Sequence, residues 1–153
     1  MLLQVIRFVR LPLLFLFLFT VGRFTLGLVG VPYFPRGTAI FSIVVLSVIS
    51  GLYFGALSGK VGGFGWGGAL LAGAVIGFGA QILIFTATLI SYLGEFNTYF
   101  RHWDALNVPE GTVVPMSQAM RLRAQGLLAG PLLVVVAAAI GRSLSALAPE
   151  KRN

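Results

Sequence analysis

Long apolar runs separated by short polar interruptions organise this chain. The clearest, Trp66–Leu93, is 28 residues without a charge, and Gly37–Leu57 is a second charge-free run. A third starts at Gly126, stays apolar to about Ile140, and meets Arg142, whose long stem can reach an interface. A hydrocarbon slab about 30 Å thick takes roughly 20 such residues per helix. The N-terminal run is harder to place. Only 12 residues, Leu11–Gly22, separate Arg10 from Arg23, about 18 Å of helix and too short to cross. Continuing to Val31 completes a span that carries Arg23 inside it. The pattern therefore predicts four spans, at about 11–31, 37–57, 66–93 and 126–147.

The interruptions predict the connections. Pro32-Tyr33-Phe34-Pro35 reads as a rigid aromatic turn at headgroup level. The glycine-rich Ser58–Gly65 makes spans two and three an antiparallel hairpin. The remaining link, Gly94–Gln125, holds most of the polar chemistry. A signal peptide, with Arg7 and Arg10 leading a short apolar core, is the rival reading of the N-terminus; no A-x-A-like site follows it.

Composition removes the soluble alternatives. The chain is 58% hydrophobic and 10% charged, where a soluble domain carries about 25% charged residues. The expected fold class is all-α: an integral membrane four-helix bundle in a single domain over 1–153, with an interfacial amphipathic helix between spans three and four. The net charge of +7 comes from cations that fall singly or in pairs between apolar runs. That is a headgroup-contacting pattern, so the lipid bilayer is the expected partner and nucleic acid is not. Leading Arg7 and Arg10 favour a cytoplasmic N-terminus, which with four spans puts both termini on the cytoplasmic side; the expected location is the cell membrane. Without cysteine there is no disulfide or thiolate chemistry.

Small residues recur every four positions in the hairpin: Gly51, Gly55 and Gly59, then Gly65, Ala69, Gly73 and Gly77. Such faces let backbones approach closely in lipid. Measured from the turn, Gly51 falls opposite Gly73 and Gly55 opposite Ala69, which predicts a hairpin seam; a glycine-zipper oligomer is the alternative. Gln81, mid-span, is expected to hydrogen-bond across a helix interface. Gly62–Gly68 is no phosphate loop, since it lacks the Lys-Ser/Thr that completes one.

In the link, Phe96, Tyr99, Phe100 and Trp103 follow i, i+3, i+4, i+7 spacing, which predicts a helix lying in the interface within 95–125. His102 is the one histidine, and it stands two residues from Asp104, on a different helix face. It suits neither bis-histidine haem nor zinc. Asn107–Thr112 reads as a turn, Ser117 as the N-cap of the last helix, and Gly130-Pro131 as a kink. Arg23 and Glu95 fall at span ends on the same face and are expected to pair. No catalytic, cofactor or metal-binding residue emerges. The reading is a non-catalytic scaffold or accessory subunit of a membrane assembly, as a homo-oligomer or with unlike subunits. An oligomeric channel or carrier and a lipid-modifying enzyme are the alternatives.

Overall fold

The computed structural model describes residues 1–31 and 42–147. The described residues form helices and turns, with no strand among them. Five α-helices follow in order: α1 (Leu2–Phe8), α2 (Arg10–Leu28), α3 (Ile43–Lys60), α4 (Trp66–Leu93) and α5 (Met116–Leu147). Four of them, α2 to α5, are long and apolar enough to cross a membrane, as in a polytopic membrane protein. The Pro32–Pro35 turn, the start of the run at Gly37, and Lys151 and Arg152 lie outside the described residues.

Local chemistry explains most helix limits. Pro12 has no N–H to give the Phe8 carbonyl, and its ring crowds that carbonyl; the helix is interrupted at Val9, between α1 and α2. Ahead of the first span, α1 also packs into the core, with Val5 and Val9 fully buried beside Leu16 and Ile76. Ser42 caps α3 by accepting the Val45 N–H at 3.3 Å. After Lys60 the chain reverses through Gly63 in the left-handed region (φ +65°). Helix α4 covers the whole 66–93 run.

Helix α5 is longer than the expected 126–147. It begins at Met116, ten residues earlier, and continues through Pro131. Ser117 is therefore inside the helix, and the Ala119 N–H bonds the Pro115 carbonyl at 3.0 Å. The helix expected to start at Ser117 and the apolar span expected from Gly126 are thus one element, with Arg121 and Arg123 in its first turns, where long cationic side chains can snorkel without breaking the helix.

The glycine faces of α3 and α4 meet α5, which corrects the predicted hairpin seam. A Cβ on Gly51 would lie 2.7 Å from Val134 Cγ1, and one on Gly55 would lie 2.6 Å from Ala138 Cα. A Cβ on Gly73 would stand 2.8 Å from Ala138 Cβ, and one on Gly77 would stand 2.6 Å from Pro131 Cα. Gly59 lies under the Arg142 guanidinium, and Ala69 is fully buried. One row of α5, Pro131-Val134-Ala138-Arg142, thus beds into two glycine-lined faces. Turn geometry alone pairs α3 with α4; the third helix fills the groove between them because only there do all three backbones come close.

Buried hydroxyls are satisfied within their own helices. Thr20 donates to the Leu16 carbonyl at 2.7 Å, Ser58 to Gly55 at 2.7 Å and Thr88 to Ile84 at 2.8 Å. No buried side-chain nitrogen or oxygen among the described residues lacks a partner, as an environment without water requires.

The bundle has two distinct ends. At one, Phe8 stacks edge-on against Phe54 and Phe64 at centroid distances of 5.2 and 5.4 Å. This turn end gathers the start of α2, the α3–α4 turn and the far end of α5. At the other, residues 94–115 fold back as a cap over the ends of α2 and α4 and the start of α5.

Candidate functional site

The cap is rich in polar side chains, Glu95, Arg101, His102, Asp104 and Glu110 among them, and its residues line two cavities, so it is the candidate site. Its geometry begins at Gly94–Glu95, where Glu95 adopts a left-handed conformation (φ 54°) and turns the chain back. Thr98 then fixes the return. Its hydroxyl and that of Ser91 are 2.7 Å apart and buried, and it also accepts the Phe100 N–H at 3.3 Å. Gly27 on α2 admits this contact, since a Cβ there would come within 2.7 Å of Thr98 Cα. Farther along, the Tyr92 hydroxyl donates to the Val114 carbonyl at 2.7 Å and pins the end of the cap to α4. Asn107 (φ 53°) and Gly111 (φ 76°) make the left-handed corners of the expected 107–112 turn.

The predicted interfacial helix is absent from this segment. Two short 3-10 turns, Tyr99–Arg101 and Asp104–Leu106, take its place. Phe100 points inward and is buried, packing near Phe24, whereas Phe96 stays on the surface against the other side of Phe24 at 5.9 Å. Tyr99 and Trp103 are half-buried. The four aromatics therefore do not share a face. Local spacing favoured a helix, but the Ser91–Thr98 bond and the burial of Phe100 commit the backbone to a tighter path.

The inner cavity measures about 70 Å³ and is lined by Arg23, Arg123, Tyr99 and the first turn of α3 at Ser42–Val44, among others. Arg123 reaches it from α5. Its Nε donates to Thr88 Oγ1 at 3.0 Å, and Nη2 reaches the Phe100 carbonyl at 3.5 Å. Both acceptors are neutral. Arg23 enters from α2 and stacks over the Tyr99 ring, 3.7 Å from its centroid. A cation over an aromatic face is worth about 0.5–2 kcal/mol. No ion pair joins Arg23 to Glu95 among the described residues: Glu95 sits on the exposed reversal.

The outer groove, about 360 Å³, opens at the surface between Tyr92, Arg101, His102, Trp103 and residues 111–114. Arg101 lies 4.8 Å from the Tyr92 ring centroid. His102 stacks at 4.8 Å on Trp103, and its Nδ1 accepts the Asp104 N–H at 3.3 Å. Partial burial pulls the His102 pKa below its ordinary value, with the Asp104 carboxylate opposing the shift. The neutral imidazole is the form that can accept at Nδ1.

Gln81 lies elsewhere, mid-span on α4 over Gly126 and Gly130 of α5. It does meet the neighbouring helix, yet no hydrogen bond from its amide appears among the described residues. The residues sequence reasoning missed are Arg123, Thr88, Thr98 and Gly27. Thr88 stood on the same small-residue stripe as Gly73 and Gly77, which was the one available signal. No three His, Cys, Asp or Glu side chains cluster as a metal site among the described residues. No protein family matches this chain, and neither a curated protein nor a solved structure resembles it closely enough to count as a match.

Proposed function

We propose that this polytopic protein is a non-catalytic scaffold or accessory subunit of a membrane assembly. It sits in the cell membrane with both termini on the cytoplasmic side, and it engages an unlike membrane subunit through the cap. The outer groove carries this reading. It is a formed, open recess with aromatic and cationic walls, tied to α4 by the Tyr92–Val114 and Ser91–Thr98 contacts. Aromatic and arginine side chains around a concavity are the composition of interface anchors. The glycine faces that suggested an oligomeric zipper are already filled by α5 of the same chain, which favours this reading over a channel. Native mass spectrometry from lipid nanodiscs prepared out of native membranes tests it. An unlike subunit in fixed ratio, lost on Trp103→Ala with Arg101→Ala, is the expected result. A closed homo-oligomer with nothing else bound overturns it.

A further inference from the structure

We propose that the inner cavity is a binding site for one phosphate-class oxyanion, held between Arg23 and Arg123. Two guanidiniums from different helices line the same small space, together with the aromatic ring of Tyr99 and the start of α3. Arg123 is bonded only to a hydroxyl and a carbonyl, and no carboxylate pairs with it among the described residues. Those neutral acceptors orient the side chain without cancelling its charge. Arg23 brings a second guanidinium to the same lining, and like charges repel most where the dielectric is low. A tetrahedral oxyanion relieves both, since arginine forks match its oxygens. The first turn of α3, an 18-residue helix, lines the same space, and a helix N-terminus favours negative charge. The volume, about 70 Å³, has room for a single small anionic group.

Depth agrees with this chemistry. Arg23 is five residues before the end of α2, and Arg123 is seven residues after the start of α5. At 1.5 Å per residue that is about 7–11 Å inside the helix ends, within reach of the headgroup boundary for a side chain as long as arginine's. The oxyanion is either the phosphodiester of an anionic lipid headgroup or a free phosphate.

The test uses the full chain in a neutral detergent, with thermal midpoint as readout. Phosphatidylglycerol, phosphatidylcholine and inorganic phosphate are added in separate arms. The expected result is a rise of about 3 °C or more over phosphatidylcholine. A rise with phosphatidylglycerol alone identifies a lipid headgroup; the same rise with inorganic phosphate identifies a free anion. Either supports the site, provided Arg23→Gln and Arg123→Gln each remove most of it and Arg7→Gln with Arg10→Gln at the turn end does not. Arg23→Gln leaves the Thr88 and Phe100 bonds of Arg123 intact, so it remains informative if the Arg123 variant folds poorly. No rise in any arm, or an equal rise in the Arg23→Gln protein and the unaltered chain, overturns the proposal.

Discussion

A single side chain decides the pH response of the cap. His102 titrates below its ordinary value because burial disfavours the imidazolium, and the Asp104 N–H is already donated to its Nδ1. The unfolded chain takes up that proton near pH 6.5, and the folded chain does so only at lower pH. Between those two values the unfolded state binds more protons, so stability falls as pH drops below about 6.5 and levels off once the folded state is protonated too. Melting midpoints between pH 7.5 and 5 should show this decline, and His102→Gln should flatten its share. Glycine makes the contrast at the same scale. A Cβ on Gly55 would press into the Ala138 backbone, while one on Gly22 of α2 would meet nothing within 4 Å. Gly55→Ala should cost about 1–3 kcal/mol by overpacking. Gly22→Ala should be neutral or slightly stabilising, by up to about 1 kcal/mol. Equal melting curves for the two would remove the seam from the explanation. Spacing could point to both ladders as packing faces, but it says nothing about which third helix covers them.

Whole elements were legible in the sequence where one physical rule set them. Helix α4 matches its apolar run from Trp66 to Leu93 because only slab length and hydrophobicity act there. The start of α5 was legible from capping chemistry, which marked Ser117 within two residues of the observed Met116, and not from the apolar run, since its first turns are polar and carry Arg121 and Arg123. The cap was legible as a polar segment and not as a shape. Its path depends on contacts between residues distant in sequence, Tyr92 with Val114 and Arg123 with Phe100, and periodicity within the segment reports none of them. That dependence makes the cap testable as a unit. Thr98→Val keeps the size of the side chain and removes the buried bond to the Ser91 hydroxyl, at a cost of about 1–3 kcal/mol. Amide exchange should rise across residues 95–106 and stay unchanged in the middle of α4. Uniform exchange across both would mean that Thr98 does not anchor the cap.

At the scale of the molecule, the alternation of ends is a statement about topology. Phe8, Phe54 and Phe64 cluster at the turn end, and Phe24 meets Phe96 at the cap end. The N-terminal helix, the α3–α4 turn and the far end of α5 are thereby placed opposite the cap. Among the described residues four cations stand at the turn end, Arg7, Arg10, Lys60 and Arg142. At the cap end Arg23 and Arg123 are drawn into the cavity, which leaves Arg101 and Arg121 nearer the surface. Cytoplasmic loops carry the excess of Lys and Arg, and the first helix usually dominates. The turn end is therefore expected inside. The chain has no cysteine, so each introduced thiol reports alone. Val61 and Val113 are 69% and 93% exposed at opposite ends, and a small thiol at either disturbs little. In intact cells an impermeant maleimide should label Val113→Cys and spare Val61→Cys until the membrane is opened. The reverse pattern would turn the protein over in the membrane while leaving the bundle as described. Labelling of both from outside would place the two ends on one face, which four antiparallel spans forbid.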